Sequence, residues 1–217
     1  MKEIIKDLEK LSNRADEVDI RKQNELVRNA IVQLKEVIRD KNLVYLTAPQ
    51  IGIPIRVFVI NFNGNLRSFV NPVISETKGF EFSREVCYSL DNEYIRPRAN
   101  SVSVIYQTPL GKVESRKMLG KAAMVFQHAV DHLDGLLLCD VGLEITPEFD
   151  NASDEEKEEL IKLYMDSLDI KRKELEKEIE GDKDLKQLSD AIDFLESVKK
   201  GETDASIVAE KKETEKK

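Results

Sequence analysis

The sequence predicts an α+β domain, with antiparallel strands packed around a central helix, followed by a helical extension. Three observations predict it. An amphipathic helix comes first, and β-rich stretches follow it in a block rather than alternating with helices. A second, largely apolar helix then closes the block. The composition shifts near residues 146–153: all six prolines lie at or before Pro147, and only two of nine glycines lie after it. That shift divides the 217 residues into a domain at 1–147 and an extension at 148–217.

Val27, Ile31, Leu34 and Ile38 recur at intervals of 4, 3 and 4, which predicts a helix over roughly 21–40. Residues 56–61, 66–70, 101–106 and 112–117 are rich in β-branched and aromatic side chains and predict strands. Asn63-Gly64-Asn65 reads as the hairpin turn joining the first two. The second helix is predicted from about Met118 to Leu133, with Met124, Val125 and Phe126 apolar enough to be buried. In the extension, Ser153 followed by Asp154, Glu155 and Glu156 predicts an N-cap with an acidic first turn. Leu160, Leu163, Tyr164 and Leu168 predict one helix. Leu185, Leu188, Ile192 and Leu195 predict another beyond a break at Glu180-Gly181-Asp182, with a frayed segment after Gly201. Those stripes would dock on the domain, pack on each other, or bind a protein partner.

Charge narrows the function classes. Residues 148–217 carry 14 Lys and Arg against 23 Asp and Glu, whereas residues 1–147 carry 20 against 19. The acidity belongs to the extension, and neither part has the basic excess of a nucleic-acid-binding protein. No apolar run approaches ~18 residues, so no membrane span is expected. Two cysteines, Cys87 and Cys139, are too few for a disulfide framework, and a cytoplasmic location is expected. Cys139 reads as structural.

The chemistry is concentrated in Gln127-His128-Ala129-Val130-Asp131-His132-Leu133-Asp134-Gly135, which holds both histidines of the chain. On a helix, four-residue spacing puts two imidazoles on one face, one turn apart, as a divalent metal site requires. In the hydrolytic H-E-x-x-H form of this pattern a Glu handles the proton of the attacking water. Ala129 stands at that position.

Three segments in order resemble the peptide deformylase family. Leu46-Thr47-Ala48-Pro49-Gln50-Ile51-Gly52 is similar to its G-x-G-L-A-A-x-Q segment, and Glu85-Val86-Cys87-Tyr88-Ser89 to its E-G-C-L-S segment. Gln127 to Gly135 is similar to its Q-H-E-x-D-H-L-x-G helix. The resemblance spans roughly residues 1–145. It implies metal ligands at Cys87, His128 and His132, one thiolate and two imidazoles that leave a fourth position open. It implies Fe(II), although such ligands also accept Zn, Ni or Co. By the same resemblance, Gln50 and the backbone N–H of Tyr88 would polarise a formyl carbonyl and stabilise its oxyanion. Met124 and Val125 would line the pocket for a methionine side chain, and Val44, Tyr45 and Val86 would border the peptide. Gln127 and Asp131 would hold the helix and orient the ligands.

The departures are as informative. Ala129 removes the carboxylate that would shuttle the proton. Leu43 and Tyr45 stand where the family has the two glycines of its first segment, and Val86 replaces the glycine before the cysteine. Glycines let a peptide backbone approach closely, so the replacements are expected to narrow the cleft. A knock-out made to trap a complex would need Ala129 alone; a natural divergent homologue accounts for all of them. Asp131 lies on the wrong side of the helix to replace the base, and Glu85 is expected to pair with an arginine such as Arg98. The expectation is therefore a metal-binding homologue of impaired or absent activity. The alternative is an active metallohydrolase that takes the formyl group from the N-terminal formyl-methionine of nascent polypeptides. A homologue without metal, its histidines merely packed, is the third possibility.

Overall fold

The structure, a computed structural model, describes residues 2–178, and side-chain placements through residue 170. The expected break at 180–182 and the second helix of the extension lie outside the described residues. After a four-residue helix α1 (Leu8–Leu11), α2 spans Ile20–Lys41. Its N-cap, Asp19, accepts from the Arg21 N–H, and it stops at Asn42 in the left-handed conformation, which Asn tolerates. Its stripe of Val27, Ala30, Ile31, Leu34, Val37 and Ile38 is buried.

Five strands form one antiparallel sheet in sequence order: β1 (Tyr45–Thr47), β2 (Val57–Phe62), β3 (Asn65–Val86), β4 (Glu93–Gln107) and β5 (Val113–Leu119). A short β6 (Leu143–Glu144) pairs with β4. The β2–β3 turn is Asn63-Gly64 with φ of 51° and 90°, the positive pair that a two-residue hairpin favours. Alternation along the strands separates two cores. Leu46, Val57 and Val59 face α2, whereas Tyr45, Phe58 and Ile60 face the opposite side. There they meet helix α3 (Lys121–Leu133) through Phe126, whose ring stands edge-on to Phe58 and Phe69 at 5.0 and 5.2 Å. This alternation sets Tyr45, rather than Leu46, on the histidine-bearing side.

Strands β3 and β4 are longer than their apolar runs suggest. Asn71 and Pro72 look like a stop, but β3 passes them through bulges between Val70 and Val73 and between Ile74 and Glu76. Asn71 takes φ of 45°, and its side chain bonds the Val18 N–H and C=O at 3.0 and 2.8 Å. Met118 belongs to β5 rather than to the helix, which begins only after Gly120, at φ 51°.

Helix α3 is fastened at its middle and just beyond its C-terminus. Gln127 accepts from the Ala99 N–H (3.0 Å) and donates to the Ala99 carbonyl (2.9 Å), clamping the helix to β4. At its C-terminus Gly135 has φ of 75°, and a Cβ there would lie 2.3 Å from the Ser12 carbonyl oxygen. Gly135→Ala is therefore expected to lower stability by more than about 1 kcal/mol, read as a reduced denaturation midpoint. An unchanged midpoint would contradict this packing.

Beyond the sheet, α4 (Leu138–Val141), α5 (Pro147–Asn151) and α6 (Asp154–Glu178) follow. The first turns of α6 return to the domain: the Tyr164 hydroxyl donates to the Val141 carbonyl, and Tyr164 and Met165 are buried. Of the expected stripe Tyr164 docks, with Met165 beside it, whereas Leu160 and Leu163 are exposed. Cys139, on α4, is also exposed and fills no core position. Among the described residues no helix is long and apolar enough to cross a membrane.

Candidate metal centre

Cys87 directly follows β3, and His128 and His132 sit one turn apart on α3 with ring centroids 5.1 Å apart. One ligand atom from each lies within 4.8 Å of the others, and all three residues are buried. Cys87 Sγ is 3.1 Å from His132 Nε2. Bonds of ordinary length to a tetrahedral ion would set such an S···N edge at about 3.5 Å. His132 Nδ1 is buried with no hydrogen-bond partner among the described residues, so packing and Cys87 orient that ring. One thiolate and two imidazoles, gathered this closely in a buried pocket, fit a divalent transition metal.

The charges behind the ligands form a ladder. Alternation at the end of β3 buries Ser83, Glu85 and Cys87 and exposes Arg84 and Val86. Glu85 accepts from Arg98 Nε and Nη2 at 2.6 and 2.9 Å, the expected pairing, and its Oε2 also meets His128 Nδ1 at 2.7 Å. Arg98 Nη1 and Arg96 Nη1 both reach Asp131 Oδ2 at 2.6 Å. Burial works to raise the Glu85 pKa, but the charge and hydrogen bonds of Arg98, and then those of His128, hold it well below the usual carboxylate range. Glu85 is thus an acceptor only, so His128 Nδ1 carries the proton and directs Nε2 into the site. Sequence reasoning missed this second bond. The signal was present as a polar residue two positions before Cys87, on the same strand face.

Burial would also raise the Cys87 thiol. Hydrogen bonds and charge from His128 and His132 overcome it and bring the value down to about 5. Cys87 is held as the thiolate that ligation requires. For His128, burial pulls downward, and the bonds and charges of Cys87 and Glu85 outweigh it to leave the imidazole raised.

The remaining expected residues surround this centre unevenly. Gln50 Oε1 accepts from the Thr47 N–H and hydroxyl at 3.1 Å each, which turns its amide nitrogen toward Ser89 Oγ (3.1 Å) and Cys87 Sγ (3.9 Å). Met124 and Val125 are half-buried, and Ser83 Oγ meets Met124 Sδ at 3.6 Å. Val44 and Val86 are 48% and 54% exposed, so neither side chain enters the centre. Ala129 is fully buried, in one cluster with Tyr45 and Tyr88.

The two tyrosines occupy what the valines leave. Tyr45, 5% exposed, places its hydroxyl 2.6 Å from His128 Nε2. Its ring lies 4.9 Å from that of His128 and 5.3 Å from Tyr88. Burial, then the charges of Cys87, Tyr88 and Glu85, push its phenol well above the ordinary value. The Tyr88 hydroxyl accepts from the Val44 N–H at 3.0 Å, across the edge of the sheet just before β1.

This geometry can be set beside known proteins. A peptide deformylase of Treponema pallidum (strain Nichols) is 37% identical over 134 residues, which are 60% of this chain and 78% of that protein. One from Dictyoglomus turgidum is 34% identical over 126 residues, 58% of this chain and 82% of that protein. The crystal structure of peptide deformylase from Thermotoga maritima matches with a TM-score of 0.59 and 32% identity, covering 68% of this chain and 97% of that one. An actinonin-bound class I type b peptide deformylase from Acinetobacter baumannii matches with a TM-score of 0.59 and 28% identity, covering 64% of this chain and 97% of that one. The profile of polypeptide deformylase matches residues 1–146, which include Cys87, His128, His132 and the sheet that carries them. By sequence, by fold and by the gathered Cys-His-His set, this chain belongs to the polypeptide deformylase family.

Proposed function

We propose that this chain binds one divalent metal ion through Cys87, His128 and His132 but turns over formyl peptides poorly or not at all. The observation that carries the reading is Ala129. It stands where a carboxylate would exchange the proton, and among the described residues no neighbouring carboxylate is free to replace it. Glu85 is committed to Arg98 and His128, and Asp131 to Arg96 and Arg98. When bound, an ion in such a set lowers the pKa of water and polarises a carbonyl. The proton must still move to the leaving amine, a transfer typically worth about 10²–10⁴-fold.

The cleft supports the same reading. An extended peptide would bind beside β1 by hydrogen bonds to its backbone, and Tyr88 already engages the Val44 N–H there. Fe(II) is the metal the family implies, with Zn, Ni or Co as substitutes. A thiolate ligand and two unpaired cysteines suit a reducing cytoplasm. Gln50 favours the alternative, an active deformylase of formyl-methionine N-termini, because its amide points at Cys87 as a carbonyl-polarising group would.

Nickel-loaded protein offered a formyl-Met peptide decides between them. The expected result is about one ion per chain, lost in Cys87→Ala. Formate release is expected about 10²–10⁴-fold below that of the Treponema pallidum protein. Release at a comparable rate would establish the active alternative.

A further inference from the structure

Among the described residues Tyr45 is the one hydroxyl in contact with a ligand nitrogen of the proposed centre, and the proposed function does not require it there. The route by which it arrives is legible. Strand alternation sends Leu46 toward α2 and Tyr45 toward α3, and β1 is held in register with β2 through Tyr45 opposite Ile60. The ring is packed between Tyr88 and His128, so the hydroxyl is fixed rather than free to swing. Its oxygen lies 2.6 Å from His128 Nε2, the nitrogen that Glu85 aims into the site.

We infer that Tyr45 is the fourth donor of the metal site, its phenol oxygen completing a four-coordinate set with Cys87 Sγ and the Nε2 atoms of His128 and His132. The inference rests on the proposed metal site and specifies its kind. Four protein donors make a closed, structural site, whereas a catalytic site keeps one position for solvent or substrate. Charge balance points the same way. A divalent ion with one thiolate leaves a net positive charge in a buried pocket, which is costly unless paired. The family pattern has a carboxylate beside the first histidine, and Ala129 removes it. An oxygen donor aimed at the same position offsets that loss, and the Tyr45 oxygen is the one at hand. Ala129 and Tyr45 thus read as a linked exchange: a carboxylate is lost and a glycine becomes a tyrosine in the same buried cluster.

The test is the visible spectrum of the Co(II)-loaded full chain, with azide as an exogenous ligand. The wild-type spectrum, including its thiolate-to-cobalt charge-transfer band, should not change on adding azide. In Tyr45→Phe azide should shift the spectrum, and Co(II) affinity should fall at least about tenfold, the scale on which site groups tune metal binding. A wild-type spectrum that responds to azide would overturn the inference, and that arm needs no variant to fold. Unchanged or tighter Co(II) binding by Tyr45→Phe would also overturn it, leaving Tyr45 a hydrogen-bonding cap on His128. If wild-type protein develops no thiolate-to-cobalt band at all, the metal site itself fails, which is a distinguishable result.

Discussion

Replacing Arg98 with methionine is expected to destabilise the protein by about 3–5 kcal/mol at neutral pH, the cost of breaking a buried ion pair from one side. Arg98 is 2% exposed and holds two carboxylates at once, Glu85 at 2.6 and 2.9 Å and Asp131 at 2.6 Å. Asp131 keeps Arg96, but Glu85 would retain only His128. The pH dependence has a definite sign. With Arg98 present, the folded Glu85 pKa lies below its unfolded value near 4.5. Its contribution is then complete above that value and lost as pH falls through the depressed folded one. Without Arg98, burial is less opposed and the folded pKa rises. The deficit of the variant should therefore be full above the variant's own raised folded Glu85 pKa, and narrow as pH falls through that value toward the depressed wild-type one. Urea denaturation of both proteins at neutral and acid pH measures it. A deficit that does not narrow on acidification would mean that Glu85 is not the group left unpaired.

Much of this architecture was legible in the sequence because it follows periodicity. The α2 stripe, the Asn63-Gly64 turn and the His128–His132 spacing each follow from one local rule, and the structure contains all three. What was not legible depended on exchange between distant segments. The far half of β3 hides behind Asn71-Pro72, because a side chain reaching Val18 takes over the bonding that the strand gives up there. On α6 the stripe held Tyr164, but that Tyr164 and Met165 rather than Leu160 and Leu163 face the domain depends on Tyr164 meeting Val141. At the centre, Tyr45 was recognisable as a bulky replacement for glycine. That its hydroxyl lands on His128 depends on the β1–β2 register and on α3 packing, which no local pattern states.

The second large effect concerns catalysis. Ala129→Glu alone restores the missing carboxylate but places it at a fully buried position in the cluster that Tyr45 fills. Inserting that volume into a packed site forces neighbouring side chains aside. The Tyr45 hydroxyl also still stands at the His128 nitrogen. Removing the ring with Tyr45→Gly opens both the space and the position beside His128 at the proposed metal site. The double variant Ala129→Glu/Tyr45→Gly is therefore expected to exceed the wild type by about 10²–10⁴-fold in formyl-Met peptide turnover, the usual worth of a positioned acid–base group. Either single change should fall well short of the double, because each leaves one obstruction in place. The tyrosine also fills core volume, so the double variant should be somewhat less stable than the wild type.

On the proposed function, this chain has kept a deformylase metal site and its own residues have shut that site to catalysis. The measurement that tests it most directly is formate release from a formyl-Met peptide by nickel-loaded wild type, both single variants and the double variant at equal metal content. A large rise in the double variant over a nearly silent wild type is expected. Wild-type turnover equal to or above that of the double variant would contradict it.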